Sequence, residues 1–223
     1  MYKKYVKRLL DFLISSIAII VLMPVFFALS LLGAIIMKGN PFFIQERPGK
    51  NNKIFYMIKF RTMTCKKDDK GKLLPDEQRV TKYGSFLRKT SIDELPELFN
   101  VFIGQMSIIG PRPLLVKDLA FMSENIKQRH VIRGGITGLA QVNGRNNISW
   151  EDKFRYDLEY VEKVSLFVDI KIIFLTIYKV LKRADINREG TSSDIDYGDW
   201  LLQEGKISKE TYDHKMEELN NAE

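Results

Sequence analysis

The sequence predicts an α+β fold, mostly helical, with a small β element and an N-terminal membrane helix broken at Pro24. Three observations carry this. Phe12 to Met37 is a run of 26 residues without a charge, long enough as a helix to cross a bilayer core of roughly 30 Å. Ile54 to Met63 has the aromatic and branched composition of a strand. The other readable segments, beginning at Tyr83, Asp118, Trp150 and Val164, follow helical patterns.

Pro24 divides the uncharged run into pieces of 12 and 14 residues. Proline removes one helical hydrogen bond and crowds the preceding turn, so it kinks or breaks a helix. At about 1.5 Å per residue, neither piece alone crosses a bilayer. Lys3, Lys4, Lys7 and Arg8 precede the run, and Lys38, Arg47, Lys50, Lys53, Lys59 and Arg61 follow it. Positive flanks stay on the cytoplasmic side. Two positive ends suit a re-entrant segment that enters and leaves by one face, and a proline-kinked span is the alternative. The run is too long for a signal peptide, and no small-residue cleavage site closes it.

Pro41 to Pro48 reads as a turn-rich exit from the membrane. On the strand that follows, Lys59 and Arg61 share one face and Phe60 the other. Lys66 to Glu77 reads as a solvated loop, and Arg133 to Arg145 as a loop punctuated by Gly134, Gly135, Gly138 and Gly144. Trp150 to Glu162 is an amphipathic helix. Val164 to Leu181 is apolar but carries Asp169, Lys171 and Lys179, which suits a helix on the membrane surface or over the core. Beyond Asp185 the chain turns polar, with a helix–Gly205–helix pattern. Three units are expected: residues 1–38 as the membrane helix, 39–188 as the main domain and 189–223 as an acidic helical tail.

Charge is divided unevenly. From Asp185 onward there are 11 acids and 4 bases, leaving 31 bases and 17 acids in residues 1–184. A body this basic fits a polyanion: anionic lipid, nucleotide, a phosphorylated carrier or nucleic acid. The sequence contains no recognisable nucleic-acid module. Cys65 is the single cysteine, which excludes an internal disulfide and a thiolate metal cluster. His130 and His214 lack zinc-site spacing.

The chemistry-bearing residues are concentrated between Ser91 and Pro113. Asp93 and Glu94 stand side by side at an expected helix start, and Arg112 lies between Pro111 and Pro113. A carboxylate that attacks and an arginine that holds phosphate are parts of phosphoryl transfer through a covalent intermediate. The bland readings are specific too. Ser91-x-x-Glu94 matches a capping box, and first-turn acids complement a helix dipole. Asp93 can equally be the cap, because Pro96 suits a position just inside the helix. Arg112 can be a surface arginine on a rigid turn. Lys59, Arg61 and Arg88 are candidates for phosphate or for a lipid-headgroup strip.

Taken together, Lys59-Phe60-Arg61-Thr62-Met63, Asp93-Glu94-Leu95-Pro96, Gly110-Pro111-Arg112-Pro113, Gly135-Ile136-Thr137-Gly138 and Ala140-Gln141-Val142-Asn143-Gly144-Arg145 form an ordered set. With Asp157 to Val161 and the Asp169 helix, the set resembles the small monotopic phosphoglycosyl transferases of bacteria, most closely the PglC-type enzymes of N-linked glycosylation. The resemblance implies a re-entrant membrane helix joined to a compact catalytic domain at the cytoplasmic face of the inner membrane. It implies a UDP-sugar donor, Mg²⁺ and undecaprenyl phosphate as acceptor, with N,N′-diacetylbacillosamine a candidate sugar. Asp93 would attack the β-phosphate, release UMP and carry a phosphosugar-aspartyl intermediate. Glu94 would be the partner acid, binding metal with Asp93 or deprotonating the lipid phosphate. Lys59, Arg88 and Arg112 would hold phosphate, and Gln141, Asn143 and Arg145 would contact nucleotide or sugar.

This chain departs from the pattern at two internal positions. Met23 stands where the family usually has a serine before the membrane proline. Gly134 replaces a proline and is expected to loosen its loop. The acidic tail lies outside the resemblance. Self-association is left open, no nucleic-acid partner is expected, and a non-catalytic scaffold on anionic lipid is the rival reading.

Overall fold

The computed structural model describes residues 1–144, 148–182 and 195–221. A π-helical turn over Tyr2–Val6 leads into α1 (Lys7–Met37). Lys38 closes α1 with a left-handed φ of 52°, its N–H bonding back to Ala34 and Ile35. Pro24 lies inside this single element, which corrects the expected break. A proline costs one backbone bond and can bend a helix without ending it.

The next segment gives a second correction. Phe42–Pro48, expected as a turn, is strand β1, paired antiparallel with β2 (Ile54–Phe60) in the register Phe43↔Lys59 and Arg47↔Phe55. Prolines sit at the two ends of β1, where a missing N–H disturbs the ladder least. Asn51 and Asn52 make the turn with φ of 56° and 60°, a left-handed geometry that asparagine tolerates. Arg61 follows the strand; its N–H donates to Pro41 O and its Nη2 to Phe42 O.

Two helices come next: α2 (Asp76–Arg79) and α3 (Lys82–Thr90), the latter capped by Thr81, whose Oγ1 accepts from Gly84 N. Ser91 then turns left-handed at φ 57°, and Ile92–Glu94 forms a 3₁₀ turn ahead of α4 (Glu97–Ile103), with Pro96 at its N-cap. The capping-box reading of Ser91 and Glu94 therefore fails, as does Asp93 as cap. Both acids belong to the 3₁₀ turn, which leaves their side chains available for other partners.

Strand β3 (Ser107–Ile109) leads to α5 (Val116–Phe121) and α6 (Glu124–Lys127), so the single helix expected from Asp118 is two. The extended Met122 and Ser123 interrupt it, and Ser123 caps the second piece by accepting from Ile126 N. Strand β4 (Gly135–Thr137) pairs parallel with β3. A Cβ on Gly135 would lie 2.0 Å from Gly110 N, and one on Gly138 2.1 Å from Gly110 O. Glycine is required there by the close approach of two backbones. Gly134 O accepts from Ser107 N at 2.8 Å.

The chain continues through α7 (Leu139–Val142), α8 (Trp150–Lys163), α9 (Leu166–Lys182), α10 (Tyr197–Gln203) and α11 (Lys209–Asn221). The tail hairpin turns at Gly205, φ 64°. Rather than standing apart, it buries Tyr197 and Leu201 against Leu114, Phe121, Trp150 and Phe154 of the main body.

One relationship positions everything else: α1 is held by the body near both ends. Lys7 Nζ donates to Asp169 Oδ2 at 2.6 Å, and Asp11 Oδ1 accepts from Ile108 N at 3.0 Å. Midway, Phe26 packs on Phe60 and Phe99. Farther along, Tyr83 Oη donates to Leu29 O at 2.9 Å, and Gly33 sits against Pro41 and Tyr83. The opposite face leaves Ile17, Ile20, Val21, Phe27 and Ile35 exposed. Helix α9 likewise exposes Phe167, Phe174 and Leu181.

Candidate active site

The site is assembled where β2, the 3₁₀ turn, α4 and the Gly110–Pro113 loop meet. Asn100 on α4 fixes the strand's position. Its Oδ1 accepts from Ile58 N at 3.1 Å, and its Nδ2 donates to Tyr56 O and to Gln105 Oε1, both at 2.7 Å. The side-chain amide satisfies backbone groups of β2, so the next residue, Lys59, arrives at a defined place.

There Lys59 Nζ donates to Glu94 Oε1 at 2.8 Å. Arg112 grips the same carboxylate with both terminal nitrogens: Nη1 donates to Oε2 at 3.2 Å, and Nη2 to Oε1. Burial alone would raise Glu94, but Arg112 and Lys59, through charge and hydrogen bonds, hold it well below the usual carboxylate range. Arg112 is raised in return, chiefly by Glu94.

Asp93 behaves in the opposite sense. Burial and then the adjacent Glu94 charge push it up, against the pull of Lys59, Arg112 and Arg88. Two neighbouring carboxylates are thus driven apart, one firmly ionised and the other less so. Arg88 reaches the area from α3, with its Nε on Thr62 Oγ1 at 3.0 Å.

Glu97, not singled out in the sequence, adds a third acid. It is 1% exposed and its Oε1 lies 3.1 Å from Lys59 Nζ. That close ion-pair distance lacks hydrogen-bond geometry, and both Glu97 oxygens are buried without a hydrogen bond among the described residues. Burial pushes its carboxyl up to about 7, with Lys59 pulling down and Glu94 pushing up.

Lys59, Asp93, Glu94, Arg88 and Arg112 are therefore brought together as expected. Gln141 and Asn143 sit on the α7 turn and bond to their own loop, Gln141 Nε2 to Ile136 O at 3.4 Å and Asn143 Nδ2 to Leu139 O at 2.7 Å. None of the described contacts links them to Glu94 or Arg112. Arg145 lies outside the described residues. The residues whose part in the site sequence reasoning missed are Glu97, Asn100, Arg129 and His130, while Asp157 was noted only within the ordered motif set. Glu97 and Asn100 are polar residues buried in the short apolar α4.

A Mg²⁺ ion takes one or two carboxylates and completes its octahedron with substrate phosphates and water. Asp93 and Glu94 offer two adjacent carboxylates, and the described residues contain no group of three acids, histidines or cysteines suited to a metal. That donor set fits Mg²⁺ held jointly with a diphosphate, and does not fit a pre-formed cage. Lys59 and Arg112, both suited to accompany a phosphate, take three of the roughly four lone-pair sites of Glu94 and leave one on Oε2.

The chain thus combines an apolar helix long enough to cross a membrane, tied along the body, with an adjacent acid pair whose Glu94 is held by Lys59 and Arg112. The chain belongs to the bacterial sugar transferase family, whose model matches residues 2–183. It is 56% identical over 144 residues to EpsL of Bacillus subtilis, an uncharacterized sugar transferase, covering 64% of this chain and 71% of that protein. It is 39% identical over 183 residues to a UDP-glucose:undecaprenyl-phosphate glucose-1-phosphate transferase of Klebsiella pneumoniae, covering 78% of this chain and 39% of that protein. It is 35% identical over 188 residues to the exopolysaccharide production protein ExoY of Rhizobium meliloti, covering 77% and 83%. Against several relatives, the Klebsiella enzyme among them, the chain spans about two fifths of their length.

Proposed function

We propose that this chain transfers a sugar-1-phosphate from a UDP-sugar to undecaprenyl phosphate, as the first membrane step of glycoconjugate assembly. The observation that carries the reading is the convergence of Lys59 and Arg112 on Glu94, directly beside Asp93, whose carboxyl is pushed up by burial and then by Glu94. The family membership and the relatives' printed activities support the substrate classes.

In this reading the diphosphate enters between Arg112, Lys59 and Arg88, which disperse its charge. Bound Mg²⁺ would supply further charge neutralisation, held by Asp93 and Glu94. Asp93 Oδ forms a bond to the β-phosphorus while the bond to the bridging oxygen breaks, and UMP leaves with that oxygen. An oxygen of undecaprenyl phosphate then attacks the same phosphorus and releases the Asp93 carboxylate. The product is a sugar diphosphate-linked lipid, and no net electrons move. Glu94 orients the cations, and it can take a proton from a monoanionic lipid phosphate only once Arg112 and Lys59 have moved off it onto substrate phosphate.

The acceptor phosphate lies at a bilayer surface, so the acid pair must sit at that height. Attachment of α1 to the body near both ends supports a helix whose two ends lie on one side of the membrane, and the positive flanks assign that side to the cytoplasmic face. A straight span would need the body to follow the helix across the membrane.

The test is UMP release by the detergent-solubilised protein with Mg²⁺, undecaprenyl phosphate and a panel of donors. UDP-glucose and UDP-galactose follow the names of relatives, UDP-N-acetyl sugars are included, and UDP-N,N′-diacetylbacillosamine follows the PglC-type resemblance. Turnover from one donor, lost in Asp93→Asn, is expected. Undiminished turnover in Asp93→Asn would remove it as the nucleophile.

A further inference from the structure

Arg112 is useful only if its guanidinium stands where a phosphate arrives, and its backbone is held from behind. Pro111 and Pro113 restrict the loop. Three successive carbonyls are then bound: Pro111 O by Gly135 N at 3.0 Å, Arg112 O by Arg129 Nη2 at 2.7 Å, and Pro113 O more loosely by Arg47 Nη1 at 3.5 Å. The middle one is unusual because its donor is a guanidinium only 1% exposed.

Arg129 reaches this place from the 3₁₀ turn Gln128–Val131. Its Nε and Nη2 donate to Asp157 Oδ2 of α8 at 2.9 and 2.6 Å. Its Nη1 lies 3.1 Å from His130 Nε2, and His130 Nδ1 lies 2.6 Å from Asn52 Oδ1 at the β1–β2 turn. A guanidinium only donates, so His130 Nε2 must accept. The ring proton then sits on Nδ1 and donates to Asn52 Oδ1. Every donor in the network is thereby assigned: Arg129 donates one way to Arg112 O and the other way to His130 Nε2, and His130 Nδ1 donates on to Asn52 Oδ1 of the hairpin turn.

We propose that Arg129 is a positioning residue for the transfer reaction, clamping the Arg112 backbone so that the Arg112 side chain meets the donor diphosphate. His130 and Asp157 orient the clamp, and Asn52 ties it to the hairpin that carries Lys59. The network thereby fixes two phosphate-facing cations relative to each other through buried contacts that need not touch substrate. This rests on the reading of Arg112 as a phosphate-holding group.

The test is a double-mutant cycle on UMP release, with Arg129→Lys and Arg112→Ala separately and together. Arg129→Lys keeps a charge for Asp157 but loses the planar fork that serves three partners. In the parent background it should lower kcat by roughly 10- to 100-fold, the scale seen when supporting residues around a site are lost. In the Arg112→Ala background it should add less than about twofold, because the group it positions is gone. Losses that multiply across the two backgrounds would show a general structural role and overturn the clamp, as would full activity of Arg129→Lys. Thermal melts accompany each protein. If Arg129→Lys does not fold, the same cycle is read on His130→Phe, which removes the acceptor and leaves the ion pair. A parent protein inactive with every donor would sink the transfer reading and the clamp's purpose with it. An active parent with multiplicative losses would sink the clamp alone.

Discussion

Arg112 and Glu94 are joined through both terminal nitrogens of the guanidinium, and Lys59 shares the same carboxylate at 2.8 Å. In the resting protein, the groups best suited to hold phosphate are occupied by an acid. In the proposed reaction, an arriving diphosphate would compete with Glu94 for Arg112 and Lys59.

The two acids should consequently fail in different ways. Asp93→Asn removes the proposed nucleophile and should lower UMP release by about 10³-fold or more. Glu94→Gln leaves the nucleophile but frees Arg112 and Lys59 from their resting partner. It also removes the neighbouring charge that raises Asp93, so the Asp93 carboxyl should titrate lower. Steady-state kinetics with quench-flow detection of a phosphosugar-protein adduct separates them: no adduct in Asp93→Asn, and an adduct that turns over slowly in Glu94→Gln.

Glu97 gives a pH signature. Its carboxyl is pushed from 4.5 up to about 7 in the folded chain. A raised acid binds more protons folded than unfolded. Its stabilising contribution is complete below about pH 4.5 and is lost as pH rises through about 7. Urea unfolding from pH 5 to 8 should show the parent losing stability relative to Glu97→Gln, at a differential slope of at most about 1.4 kcal/mol per pH unit. Parallel curves for the two proteins would mean that Glu97 is not a displaced carboxyl.

The paired strands β3 and β4 rest on glycine contacts. Gly135→Ala would place a Cβ 2.0 Å from Gly110 N, whereas a Cβ on Gly39 meets nothing within 4 Å. The first should cost about 3 kcal/mol or more by forcing backbones apart, and the second should stay within about 0.5 kcal/mol. Because Gly110 begins the loop that carries Arg112, Gly135→Ala should also lower activity in the fraction that remains folded. Thermal melts and UMP release on both variants test the contrast.

Much of this was legible in the sequence, and the reasons differ by element. Helices α8 and α9 could be read because their apolar residues recur at helical spacing. The Asp93–Glu94–Arg112 grouping could be read because its residue types serve phosphate chemistry and its motifs occur in order. Strand β1 was hidden by prolines at its ends, which mark turns as often as strand edges. Helices α5 and α6 were merged because the interruption at Met122 has no glycine or proline to announce it. The capping pattern at Ser91 misled because a left-handed residue, not a side-chain cap, ends α3 there. Asn100 and Arg129 were invisible for a deeper reason. Their partners are Ile58 N, 42 residues away, and Arg112 O, 17 residues away, and no local pattern encodes such distances.

The path of α1 through the membrane gives the last prediction. By length and composition α1 can cross a bilayer: its 31 residues extend about 46 Å at 1.5 Å per residue. Lys7 bonds to Asp169 near its start, and Leu29 accepts from Tyr83 toward its end. Asp169 and Tyr83 belong to one body, so the two ends of α1 cannot face opposite compartments unless that body spans the membrane too. Single cysteines at Lys4 and Gly39, both exposed, in a Cys65→Ser background, report this directly. A membrane-impermeant maleimide should label both in inside-out vesicles and neither in right-side-out ones. Labelling of the two positions from opposite sides would show a spanning helix. The contacts of Lys7 and Leu29 with the body could then not coexist in the membrane-bound protein.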